Sequence, residues 1–186
     1  MIIYITIILL YASFLIEFIL WPVPSEASTK QLLKKWKTNL MTHNFIYILI
    51  FIFNLVFTIS PLILSIYFLI LEKRYNTFQM AIPGMVFGWI GRLVSMKGAY
   101  ILNHNKDKHL ITRSLYQWSR NPISFGLYIT FLGLVMALPY FFLIAGWIIF
   151  LGTMNYKIGI EERFLKEKYG EAYLKYQKST PKYLLI

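Results

Sequence analysis

The sequence predicts an all-α, polytopic membrane protein with about five transmembrane helices, including a late helical hairpin followed by a cytoplasmic amphipathic helix. Three observations carry this. Of 186 residues, 58% are hydrophobic and 15% charged, whereas an ordinary soluble domain is roughly 45–50% apolar and 25% charged. The apolar residues gather in separated runs that approach or exceed the length needed to cross a hydrocarbon core about 30 Å thick. Lys and Arg outnumber Asp and Glu by 19 to 8, and they crowd onto alternating connections between the runs.

The first run, Met1–Trp21, is broken only by Glu17. It has no basic leader and a long apolar stretch, so it reads as a span rather than a signal peptide. The second, Phe45–Leu71, contains Pro61, read as a kink rather than a break. These two make an N-terminal unit, residues 1–79. The third, Met80–Leu102, opens a core unit, residues 80–186, and carries Arg92 and Lys97. Charges inside a span are costly, so both are expected to turn inward or reach for the interface. Along it Gly84, Gly88, Gly91, Ser95 and Gly98 form a stripe of small residues on one face. That suits close helix–helix packing, or a face left open for a flat ligand. The fourth and fifth runs, Ile123–Leu138 and Tyr140–Tyr156, meet at Pro139 as a short hairpin. Separated helices, rather than a barrel, satisfy backbone groups in lipid with runs of this length.

Basic residues set the expected topology. The stretches 22–44 and 103–122 hold four each and the chain from Lys157 onward seven, against only Lys73 and Arg74 on the other side. The bias puts those three stretches in the cytoplasm and the N-terminus outside. Split among juxtamembrane segments, the charge reads as contact with anionic membrane lipids, not as a nucleic-acid surface. Zero cysteines exclude disulfides, thiolate metal sites and a cysteine nucleophile. No glycine-rich nucleotide loop and no HExxH occur; His104 and His109 read as solvated loop residues, and no metal is expected.

Two cytoplasmic segments flank the hairpin. In the first, Lys108 to Ser124, Asn121 followed by Pro122 marks a helix start, with Asn as cap and Pro in the first helical position. Its exposed N–H groups would suit a carboxylate or phosphate, with Arg120 beside it. In the second, Asn155 to Tyr176, Lys157/Glu161 and Glu162/Lys166 are spaced i, i+4, a pattern that a solvated helix also shows. Glu161 and Glu162 nevertheless fall close behind the fifth span, so a carboxylate pair at the interface could hold a cationic group.

Taken together, Leu110-Ile111, Tyr116, Arg120, Pro122, Glu161-Glu162, Leu165, Tyr169-Gly170, Tyr173, Tyr176 and Pro181 resemble the signature of the isoprenylcysteine carboxyl methyltransferase family and its phospholipid methyltransferase relatives. The likeness covers about residues 80–183. Ser114 stands where the pattern has Gly, Asn121 where it has His and Ser124 where it has Tyr. Lys157 stands where a substrate Arg is usual. The resemblance implies S-adenosylmethionine bound without a nucleotide-binding domain. Its contacts would come from Lys108, His109, Leu110, Ile111, Tyr116, Asn121, Pro122, Ile123, Ser124 and Glu161, with Glu162 as a partner. Lys157 and Arg120 would be the catalytic cations. The implied reaction is methyl transfer to a lipid-borne or prenylated acceptor, with a prenylcysteine-like carboxylate as the leading case. A phospholipid or small-thiol methyltransferase and a non-catalytic membrane scaffold are the alternatives.

Overall fold

A computed structural model describes residues 2–20, 45–71, 80–105 and 110–183. Among them lie seven helices and no strand: α1 Ile2–Leu20, α2 Phe45–Ile70, α3 Ala81–His104, α4 Leu115–Trp118, α5 Pro122–Ala137, α6 Phe141–Tyr169 and α7 Glu171–Ser179. Three helices, α1, the Ile52–Ile70 part of α2, and α6, are long and apolar enough to cross a membrane. Little of their surface is buried against protein, with Ile2, Phe18, Ile63, Ile70 and Ile148 well exposed. Such a surface needs lipid around it, and the chain is an integral membrane protein of all-α fold.

The expected spans become helices, and α2 runs through Pro61 without a break, Ser65 Oγ donating to the Pro61 carbonyl at 2.6 Å. Two expectations are corrected. The fifth run does not end at Tyr156: α6 continues for 29 residues to Tyr169, about 43 Å at the usual rise. The run of Glu, Lys and Arg on its second half therefore extends one rigid helix. His104, read as a loop residue, lies in the last turn of α3, its ring nitrogen 3.0 Å from the Tyr100 carbonyl.

Although α5 and α6 are hairpin neighbours, α5 packs chiefly against α3. The small-residue stripe is the reason. A Cβ on Gly133 would lie 2.3 Å from both the Gly84 oxygen and the Gly88 nitrogen, and one on Gly126 would lie 2.5 Å from the Gly91 oxygen and Ser95 nitrogen. Gly84, Gly88, Gly91 and Ser95 thus meet Ala137, Gly133, Thr130 and Gly126, antiparallel and backbone to backbone. The stripe is a packing face, not an open ligand face. Its complement on α5 repeats the same 4-3-4 spacing. Such spacing keeps one helix face free of large side chains, which lets dispersion contacts replace the missing hydrophobic drive in lipid.

Of the two charges in α3, Arg92 is fully buried while Lys97 is exposed. Arg92 pairs with Glu17 of α1, donates to Ser13 Oγ at 2.7 Å and to the Ser13 carbonyl at 2.8 Å, and lies 3.9 Å over the Phe14 ring. The apparent break in the first run is the counter-ion for the charge in the third.

Candidate active site

Helix α4 and the start of α5 bring the first motif segment together. Gly98 of α3 meets Ile123 and Pro122, and the Tyr116 hydroxyl reaches the Gly98 carbonyl at 3.5 Å. Ser114 leads into α4 at φ 59°, ψ −130°, left-handed territory that a side chain enters at a cost of roughly 1 kcal/mol or more. We expect Ser114→Gly to raise stability by about 1 kcal/mol, read as a higher melting temperature in detergent; a lower one would contradict the strain.

Asn121 precedes Pro122 at the head of α5 as predicted, but its side chain makes no capping bond. Instead its amide donates to Glu162 Oε1 at 3.2 Å and to the Lys182 carbonyl at 3.3 Å. The physical reason is orientation: a side chain turned so that its amide N–H meets a carboxylate and a carbonyl does not place its oxygen over the first N–H groups of the helix. Arg120 converges on the same oxygen, with Nε 3.1 Å from Glu162 Oε1, and its Nη1 donates to the Gln177 carbonyl at 2.8 Å. Both side chains of the pair are largely withdrawn from solvent, 10% and 15% exposed.

Glu161 occupies a different side of α6. It pairs at 3.6 Å with Lys157, the side chains 30% and 47% exposed, which makes that pair weak. Its charge also bears on Tyr116, whose phenol burial above all, then Tyr176 and Glu161, push well up. Tyr176 donates to the Tyr116 carbonyl and is itself pushed up by burial. Tyr173, next to it, is buried with its hydroxyl lacking any partner among the described residues. Burial first, then the Glu162 charge, push that phenol up to about 12, so it stays protonated as a donor.

The structure therefore brings Arg120, Asn121 and Glu162 into one clasp, and Tyr116 near the Lys157–Glu161 pair. Pro122 is buried, and Leu110, Ile111, Ile123 and Ser124 are partly buried. Lys108 and His109 lie outside the described residues. The two carboxylates take different partners, Lys157 and Arg120, because neighbours on a helix point about 100° apart. Missed at the level of sequence was the segment after α7. Its Pro181 carbonyl accepts from Arg120 N at 3.0 Å, and its Lys182 carbonyl from Ser119 Oγ at 3.1 Å. Pro181, which cannot extend α7, was the available sign that the chain turns back there.

These features define a polytopic membrane protein with a charge-paired, tyrosine-lined site where its hairpin leaves the apolar zone. The sequence profile of the family described as phospholipid methyltransferase matches residues 76–172, over half the chain and all of that site's α3, α4, α5 and α6 elements. The chain belongs to the phospholipid methyltransferase family. No curated protein and no solved structure matches it.

Proposed function

We propose that this protein transfers a methyl group from S-adenosylmethionine to the headgroup of a membrane lipid, at the cytoplasmic end of its spans. The carrying observation is the site at the α5 start, on the stretch that the family profile covers. The residues suit the donor. Glu161, loosely held by Lys157, offers a carboxylate to an ammonium. The unpartnered, protonated Tyr173 hydroxyl beside Arg120 and Glu162 offers a donor to a carboxylate or ribose oxygen. Leu110, Ile111, Tyr116 and Ile123 supply an apolar wall for an adenine. When bound, the cofactor supplies a sulfonium-activated methyl that needs no enzyme nucleophile.

What the chain contributes is alignment and dryness. Arg120 holds Glu162 and so fixes the head of α5 against α6; it is a positioning residue here. Asn121 shares that role. The family description favours a phospholipid amine as the acceptor. A second reading, a prenylcysteine-like carboxylate, is favoured by Lys157, which stands exposed at the interface and would orient an anion.

Purified protein is expected to gain about 2.7 kcal/mol of stability at S-adenosylhomocysteine concentrations 100 times its dissociation constant. Glu161→Ala should remove most of that gain. No shift in the wild type would defeat the reading and leave a scaffold. Offered tritiated cofactor, phosphatidylethanolamine should take up label into extracted phospholipid. Base-labile volatile label from a prenylcysteine analogue alone would reverse the two acceptors.

A further inference from the structure

Beneath the Arg120–Glu162 clasp lies a second polar cluster that the reaction as described does not use. Asn155 stands seven residues before Glu162 on α6, and Tyr128 seven after Asn121 on α5. Two turns in each case put them on the same faces about 10 Å further toward the apolar zone. The segment after α7 drops Tyr183 between them. Its hydroxyl donates to Asn155 Oδ1 and lies 3.3 Å from the Tyr128 hydroxyl. Lys182 Nζ is 3.4 Å from the same Asn155 oxygen.

The cluster is rich in donors. One phenol, that of Tyr183, and the Lys182 ammonium share one neutral amide oxygen, and the Tyr128 phenol meets the Tyr183 hydroxyl; the Asn155 amide nitrogen is spent within α6 on the Leu151 carbonyl at 3.1 Å. Burial above all pushes the Tyr183 phenol up, the bond with Tyr128 opposing this and the Glu162 charge adding to it. The acid next above, Glu162, is already engaged by Arg120 and Asn121. An anionic oxygen would accept from these groups more strongly than an amide does, and the long Lys182 contact is the easiest to exchange. Through Tyr183 the cluster bridges α5 and α6 one step below the clasp, on the side from which a lipid headgroup would enter.

We propose that Lys182, Tyr183, Asn155 and Tyr128 form a subsite for the phosphodiester of a phospholipid, which anchors the headgroup while its amine reaches the clasp above. The proposal rests on the methyltransferase reading and narrows its acceptor to a phospholipid.

The test uses the purified full chain in detergent, with thermal stability as the readout. The probes are dihexanoyl phosphatidylethanolamine, dihexanoylglycerol, inorganic phosphate and N-acetyl-S-farnesylcysteine. Phosphatidylethanolamine should stabilise the wild type where dihexanoylglycerol and inorganic phosphate do not. Lys182→Gln should raise its half-saturating concentration about tenfold, the loss of one charged hydrogen bond, and Lys182→Arg should restore it. Tyr183→Phe, which removes a single oxygen, should weaken it by a smaller factor and serves as the deciding variant if Lys182→Gln is misfolded. All three variants should keep the stabilisation by S-adenosylhomocysteine. Equal stabilisation by dihexanoylglycerol or by inorganic phosphate would overturn the subsite. So would unchanged affinity in Lys182→Gln, or a loss confined to the farnesylcysteine probe. A wild type indifferent to S-adenosylhomocysteine but stabilised by phosphatidylethanolamine would instead remove the methyltransferase reading and leave the lipid subsite standing.

Discussion

Arg92→Leu will destabilise the protein by roughly 3–5 kcal/mol, the typical result of removing one partner from a buried ion pair. The guanidinium is fully buried and makes four contacts to α1, with Glu17, both Ser13 oxygens and the Phe14 ring. Without it Glu17, only 12% exposed, is left a carboxylate among apolar groups without its counter-ion, which loosens α1 from α3. The double variant Glu17→Leu, Arg92→Leu should recover most of the loss, because two apolar side chains in place of an ion pair are often neutral or better. Denaturation in mixed micelles of both variants measures this. A double variant no more stable than the single would mean that the pair contributes net stability rather than register between α1 and α3.

The second large effect is expected at the glycine seam. Gly133→Ala should cost roughly 3 kcal/mol, at the upper end of the usual range for overpacking. The added methyl would sit 2.3 Å from backbone atoms of Gly84 and Gly88, and backbone has no rotamer to yield. The helices must separate along their length, which would also loosen Pro122 and Ile123 from Gly98 at the site. Gly152→Ala is the matched control. A Cβ there meets nothing within 4 Å, so it should stabilise by about 0.5–1 kcal/mol through helix propensity alone. If both substitutions behaved alike, the seam would not be what holds α3 to α5.

Much of this molecule was legible before folding. Apolar runs announced the spans because lipid imposes one length scale on them, and the 4-3-4 stripe on α3 announced a packing face. The matching stripe Gly126, Thr130, Gly133, Ala137 stands equally plain in α5. The helix start at Asn121-Pro122 was also visible, yet the use of the Asn121 side chain was not. Local rules make Asn a cap, whereas the fold turns its amide N–H toward a carboxylate 41 residues away.

By itself, then, the sequence determined the all-α membrane fold, the small-residue seam and the segments from which the site is built, since each follows from periodicity or composition within one helix. Which charge meets which was decided only by tertiary structure. Glu17 lies 75 residues from Arg92, and Arg120 lies 42 from Glu162. No local pattern links residues so far apart. Their partners are fixed by the packing of α1 on α3 and by the hairpin that lays α6 against the head of α5.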